Sequence, residues 1–330
     1  MRVIPAPQEL LDFILTGSKF LLAGHLEPDG DCVGSQLALA SALRRLGKEV
    51  VLCSAGPFKR TEIKPYASAF VAKPSEAERE GARVIVLDCG RPDRLGDLEP
   101  FLRGLPTAVI DHHATGGFPG GGDSVPFYLN PDAPATAVLV LEVFDALGLD
   151  LKVEEAELLF FALATDTGYF RHVDQDGAEC FSYAARLIRS GANPKKAYQA
   201  IYGGKTLASR ILIGRILSNA QSWYGGKLIL STESLEDNRL YGLEGRDSDS
   251  FYQLVQTVAG VEAVVLIRQE SPEKCTLGFR SRDAVDVAAI AAQFGGGGHK
   301  NAAGLSIAGT IEELRPKIIE AFRTTFQENP

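Results

Sequence analysis

His25, Asp29 and Asp31 stand in the stretch Gly24-His25-Leu26-Glu27-Pro28-Asp29-Gly30-Asp31-Cys32-Val33-Gly34-Ser35, directly after the apolar run Phe20-Leu21-Leu22-Ala23. Neutral imidazole and carboxylate oxygens are suitable ligands for borderline or hard divalent cations. Gly30 lets the backbone turn so that Asp29 and Asp31 can address one locus. Three further acids end apolar segments: Asp88 in Val86-Leu87-Asp88-Cys89-Gly90, Asp111 in Val109-Ile110-Asp111-His112-His113, and Asp166 in Ala162-Leu163-Ala164-Thr165-Asp166-Thr167-Gly168. Taken singly, each reads equally well as a helix cap or a turn residue. The histidines weigh against that, because three of the five in the chain (His25, His112 and His113) fall inside these stretches. Asp29, Asp31, Asp88 and Asp166, brought together without counter-ions, would repel and raise one another's pKa values. Two divalent cations balance four carboxylates, which favours a two-metal site.

The elements that must position these residues are legible as apolar runs at 18–24, 48–53, 83–88 and 106–111. Most are rich in β-branched residues and none alternates strictly, as expected of strands buried on both faces of a parallel sheet. Helical patterns lie at 8–16, 36–46, 135–147, 153–164 and 177–190, which makes this half a doubly wound, mostly parallel α/β domain. The candidate acids and histidines then lie at the carboxyl ends of the strands, where ligands bind in such sheets. The glycine-rich segment 116–122 reads as a surface loop.

After Gly191-Ala192-Asn193-Pro194 two helical segments, 194–202 and 206–222, read as a connector. A smaller α/β module with a mixed sheet follows, with strands near 227–232, 260–269 and 274–281, helices near 247–258 and 285–293, an apolar stretch at 303–308 and a final helix from about 310. The expected division is 1–192, 193–223 and 224–330.

A chain of 330 residues is long enough for two cores. Thirty-four basic against 42 acidic residues give a formal charge of −8, which argues against a grip on long duplex DNA. The five cysteines form no C-x-x-C pair, so neither a disulfide framework nor a structural zinc site is suggested. No signal-peptide pattern or membrane-length apolar run stands out, so no membrane partner is expected and the cytoplasm is the expected location. Whether the chain forms a homodimer is left open.

The order and spelling of the strand-end motifs resemble the DHH phosphoesterase family, whose name reflects motifs of the Asp111-His112-His113 type. The resemblance implies that His25, Asp29 and Asp88 hold one metal, and that Asp31, Asp88, His112 and Asp166 hold the other, with Asp88 bridging. It further implies that His113 faces the substrate phosphate and that Asp111 orients the histidines from behind. Two divalent ions are implied, usually manganese, with magnesium or cobalt as substitutes. A water activated between them becomes the nucleophile.

In the C-terminal half, Phe279-Arg280-Ser281-Arg282 precedes Phe294-Gly295-Gly296-Gly297-Gly298-His299-Lys300-Asn301-Ala302-Ala303-Gly304. Consecutive glycines allow backbone N–H groups close to an anion, or simply a pliant hairpin. The stretch is not a P-loop, since His299 precedes Lys300 and no Ser or Thr follows. With Arg280 it resembles the DHH-associated nucleotide-binding domain. That resemblance implies that Arg280 and His299 hold a phosphate, that Gly295, Gly296, Gly297 and Gly298 lie near base or sugar, and that this domain faces the metals across a cleft.

Within that family the whole-chain pattern is closest to the bifunctional oligoribonuclease and 3′-phosphoadenosine-5′-phosphate (pAp) phosphatase type. The substrates implied are RNAs of two to five nucleotides, dinucleotides and pAp. A phosphodiesterase specialised for linear dinucleotides and a RecJ-like single-strand exonuclease are the alternatives. An inorganic pyrophosphatase or polyphosphatase would carry a more basic clamp, and an inactive nucleotide sensor would lack ligand positions. Cys32 and Cys89 read as small buried fillers, His172 as structural, Trp223 as core, and Arg44-Arg45 as a solvated helix face.

Overall fold

Five short apolar segments make the first sheet: β1 (Lys19–Ala23), β2 (Glu49–Cys53), β3 (Arg83–Leu87), β4 (Thr107–Asp111) and β5 (Phe127–Leu129). All pair in parallel, in the order β2-β1-β3-β4-β5. The computed structural model describes residues 4–113, 126–242, 246–282 and 285–327. The glycine-rich loop expected at 116–122 lies outside them. The first four strands fall within one residue of the sequence expectation at each end. β5 was not foreseen, since three residues carry too little pattern to be read as a strand.

Successive side chains of a strand point to opposite faces, and both faces here are covered. Phe20, Leu22, Ile85 and Ile110 pack under helices Gln8–Thr16, Gly30–Arg45, Thr136–Ala146 and Val153–Asp166. Leu21, Ala23, Val84, Val86 and Val109 pack against Leu95, Leu98 and Leu102 from the short helical turns on the other side. That double burial is why the strands read as continuous apolar runs.

Two local expectations are corrected. The helix after β1 starts at Gly30, well before residue 36, so Asp31 lies in its first turn. Arg45 is not part of a freely solvated face: its Nη1 lies 2.8 Å from Oε2 of the fully buried Glu155, whose other oxygen accepts from Ser41 Oγ. A buried carboxylate needs such partners.

The chain divides into two compact units, Met1–Gly204 and Lys205–Pro330. Of the helices between the α/β modules, Pro194–Tyr202 falls in the first unit and Leu207–Ser218 in the second. The helical segment expected to run to 222 stops at Ser218, because Gln221–Trp223 forms edge strand β6. On that edge Trp223 is 37% exposed, so it is not the core residue expected.

The second unit is built on a mixed sheet ordered β10-β11-β9-β8-β7-β6. Its further strands are β7 (Leu228–Glu233), β8 (Ala263–Ser271), β9 (Lys274–Ser281), β10 (Gly297–His299) and β11 (Ala302–Ala308). Only β7 and β8 pair in parallel. Helices Val287–Ala292 and Ile311–Ala321 cover Val265, Ile267, Leu277 and Phe279, while Leu207–Ser218 and Ser248–Gln256 cover Val264 and Leu266. Among the described residues no helix is long and apolar enough to cross a membrane.

Candidate metal centre and nucleotide face

The strand order of the first sheet reverses between β1 and β3, and the crevice at such a reversal is the ligand site of open α/β sheets. His25 follows β1 there and Asp88 follows β3. His25 Nε2 lies 3.5 Å from Asp88 Oδ2 and 3.8 Å from Asp29 Oδ1. Its Nδ1 is 2.9 Å from the Leu26 carbonyl, which leaves Nε2 to face the acids. Asp88 is 4% exposed and adopts φ +56°, a left-handed conformation that Asp tolerates better than most residues. His112, beyond β4, brings Nε2 to 3.7 Å from Asp88 Oδ1 and 3.5 Å from Asp166 Oδ2.

Two helices deliver the other acids. Asp29 caps helix Gly30–Arg45 by accepting from the backbone N–H of Asp31 and Cys32, both at 3.1 Å. Asp31 turns inward, where its carboxylate accepts from the N–H groups of Thr136 (2.6 Å) and Ala137 (3.0 Å) at the start of helix Thr136–Ala146. Asp166 closes helix Val153–Asp166. The helices at Gly30 and at Asp166 approach so closely that a Cβ on Gly30 would meet Thr165 Oγ1 at 2.4 Å, and one on Gly34 would meet the Leu158 carbonyl at 2.8 Å. Gly30 is not in the left-handed region, so its use is this approach and not the turn expected from the sequence.

The donor atoms therefore converge. Those of Asp88, His112 and His113, those of Asp31, His112 and Asp166, and those of His25, Cys32 and Asp88 form three overlapping sets, each within 4.8 Å. His112 Nε2 and Asp111 Oδ2 are buried with no hydrogen-bond partner among the described residues.

The electrostatics are those of an acid cluster short of cations. Burial, then Asp88, Asp166 and Asp29, push the Asp31 carboxyl well above its usual range. Burial also leads the shift that raises Asp166 to about 6, with Asp88 and Asp29 adding to it. Burial disfavours the His25 cation, yet Asp29 and Asp88 overcome it and lift the ring to about 10. Burial would likewise raise Asp29, but its partnership with His25 holds it below the carboxylate norm. Carboxylate and imidazole donors with an orphaned inward nitrogen suit hard or borderline divalent ions.

Cys32 also reaches the cluster, but burial and the nearby Asp88 and Asp29 raise its thiol far above its ordinary value. It stays protonated and fills space, as the sequence suggested. His113 is half exposed, with Nδ1 at 2.7 Å from Asp111 Oδ1. That hydrogen bond leads the causes raising its pKa, against partial burial. Thr136 was not foreseen: its Oγ1 donates to Asp88 Oδ1 at 3.0 Å while its N–H holds Asp31. Its only sequence signal was a hydroxyl at a helix start, which is ordinary.

A cavity of about 450 Å³ opens on the cluster, lined by His25, Asp29, Asp88, His113 and Asp166.

In the second unit the strand register places Arg280, Ala302 and His299 side by side across β9, β11 and β10, with Gly278, Gly304 and Gly297 as a neighbouring row. Residues opposite one another share a face, so a row of glycines runs beside Arg280 and His299, with the Tyr252 hydroxyl lying over its Gly278 end. The four glycines differ. A Cβ on Gly298 (φ +149°) would come within 2.4 Å of the Ala302 carbonyl, and one on Gly296 within 2.6 Å of Leu305, whereas Gly295 (φ +79°) and Gly297 face open space. The Arg280 guanidinium stacks 4.8 Å from the Tyr252 ring centroid and lies 3.7 Å from Asp249.

Residues 19–164 match the model of the DHH family N-terminal domain, and residues 238–328 match that of the DHHA1 domain. A bifunctional oligoribonuclease and PAP phosphatase NrnA of Thermus thermophilus is 32% identical over 305 residues, covering 92% of this chain and 88% of that protein. The chain belongs to the DHH family. The fold is shared with an exopolyphosphatase-related protein of Bacteroides fragilis, at a TM-score of 0.80 and 22% identity over 99% of this chain and all of that one. The RecJ exonuclease of Thermus thermophilus, crystallised with Mn2+, matches the whole of this DHH chain at a TM-score of 0.50 and 18% identity, over 56% of its own length.

Proposed function

We propose that this DHH-family chain is a divalent-metal phosphoesterase that hydrolyses RNAs of two to five nucleotides to mononucleotides and removes the 3′-phosphate of pAp. The convergence of His25, Asp88, His112 and Asp166 donors at the β1/β3 reversal carries the reading. The NrnA relative supports the substrate class.

In this reading His25, Asp29 and Asp88 would hold one ion, and Asp31, Asp88, His112 and Asp166 the other, with manganese the preferred metal. Divalent ions there would supply positive charge against a phosphate and make water a stronger nucleophile. Thr136 and the start of helix Thr136–Ala146 fix the carboxylates that carry them. Asp111 keeps a proton on His113 Nδ1, so Nε2 is the atom left to donate to the phosphate or its leaving oxygen.

The stretch 1–192 is the catalytic domain and 224–330 the substrate domain, with 193–223 between. In the latter, Arg280 and His299 take a phosphate and the Gly295–Gly298 segment lies against base or sugar. We place the enzyme in the cytoplasm.

The test is purified protein with Mn2+ against di- to pentaribonucleotides, pAp and pyrophosphate. Mononucleotide release from the short RNAs and AMP from pAp are expected. Turnover of pyrophosphate alone would retire the reading. Arg280→Ala should weaken nucleotide binding while a generic aryl phosphodiester is still cleaved.

A further inference from the structure

The cavity beside the acid cluster is also lined by Arg60 and Arg94, which no sequence motif singled out. Arg60 sits on the loop that follows β2 and Arg94 in the helical turn Pro92–Leu98 that follows β3, and both segments are stitched to the loop after β1. The Leu26 N–H donates to the Arg94 carbonyl at 2.6 Å, and the Glu27 N–H donates to the Gly56 carbonyl at 2.9 Å. The Leu26 side chain packs over Gly96, where a Cβ would come within 2.9 Å of it. Backbone contacts thus hold the segments bearing both arginines in register with His25 and Asp29.

Neither guanidinium forms an ion pair or a hydrogen bond among the described residues, and both side chains are exposed. Asp93 is hydrogen-bonded by Arg91 through two bonds of 2.8 and 3.0 Å and Glu27 by Lys59, while Arg94 acts on Asp93 and Arg60 on Asp29 only through charge. Two arginines and an acid cluster line one cavity, which therefore offers charges of both signs, and the charge of Arg60 is felt at Asp29 of that cluster. At about 450 Å³ the cavity is in the range that takes a small ligand and not merely one anion. Guanidinium forks match phosphate oxygens in bidentate fashion and stay charged at every working pH.

We propose that Arg60 and Arg94 form a second-phosphate subsite. They receive the other phosphate of a nucleoside whose scissile phosphate lies among the acid and imidazole donors, which leaves Arg280 and His299 for a phosphate further along an oligonucleotide. This rests on the phosphoesterase reading above, and it defines the recognition unit as a nucleoside phosphorylated on both its 5′ and 3′ oxygens. pAp and a 5′-phosphorylated dinucleotide contain that unit; 3′-AMP does not.

The test compares the wild type with Arg60→Gln, Arg94→Gln and the double variant, on pAp and on 3′-AMP. Two readouts are taken: kcat/KM with Mn2+, and equilibrium binding by calorimetry to protein stripped of metal. The double variant should lose about tenfold or more on pAp and distinctly less on 3′-AMP in both readouts, the size expected for lost charge-assisted hydrogen bonds. Equal losses on the two ligands would place the arginines on the scissile phosphate and overturn the subsite, as would no loss on either. Should neither ligand be hydrolysed while wild-type protein still prefers pAp and the double variant does not, the phosphoesterase reading fails and the subsite stands. Both side chains are exposed and make no hydrogen bond or ion pair among the described residues, so circular dichroism and Tm are expected to match the wild type.

Discussion

Nδ1 of His113 sits 2.7 Å from Oδ1 of Asp111, a carboxylate with no solvent exposure at the end of β4. The pair joins a half-exposed ring at the cavity to a fixed acid in the sheet. Because Asp111 stabilises the imidazolium, the His113 pKa is raised, and the cation persists to higher pH than in a free histidine. Asp111→Asn should lower that pKa and move the alkaline limb of the kcat profile to lower pH. The pair's contribution to stability should be full below the unfolded histidine value, about 6.5, and lost as pH rises through the raised folded value. A pH–rate profile of the variant superimposable on the wild type would remove His113 from proton transfer.

Thr136 touches two acids of the cluster at once, with its hydroxyl on Asp88 and its N–H on Asp31. Thr136→Val keeps the shape and the N–H but removes the hydroxyl. Manganese affinity should fall about tenfold, as for other supporting partners of metal ligands, with little change in fold. Calorimetric titration of Mn2+ measures it, and an unchanged affinity would make Thr136 a bystander.

Gly34→Ala reverses a familiar sign. In an exposed helix the change to Ala normally stabilises by about 1 kcal/mol. Here the new Cβ would sit 2.8 Å from the Leu158 carbonyl and 2.9 Å from the Ala162 Cβ, neither of which is a pliant side-chain end. Overpacking of this kind costs about 1–3 kcal/mol, so urea unfolding should show net destabilisation. A variant more stable than wild type would show that the helices separate freely.

Metal loading should release protons. In the metal-free protein His25 is held protonated to about pH 10, Asp166 titrates near 6, and Asp31 is raised further by burial beside Asp88, Asp166 and Asp29. A cation needs the ring neutral and the carboxylates ionised. Mn2+ titrations near pH 6 in buffers of different ionisation enthalpy should give different apparent heats. Identical heats would mean that loading displaces no proton.

Much of the catalytic half was legible along the chain, because a strand buried on both faces must read as an apolar run and a polar residue at its end stands out locally. The strands that lead to His25 and Asp88, and the one that ends at Asp111, fall within a residue of expectation for that reason. Three-residue β5 and β10 leave no such pattern, and the helix at Gly30 was placed late because its first turn carries the polar ligand spelling instead of an apolar stripe. Arg45 looked solvated because its partner, Glu155, lies 110 positions away.

The sequence by itself determined which side chains have the chemistry for a divalent ion, and that they end the elements of a wound parallel sheet. Tertiary structure alone decided that Asp31 is clasped by a helix start 105 positions further on, that Gly30 and Gly34 let two helices close on the site, and that Arg60 and Arg94 look into the same cavity. The physical reason is one of range. Burial and periodicity are written into neighbouring residues, whereas a close approach or an unpaired charge is a property of two segments that meet only in the folded chain.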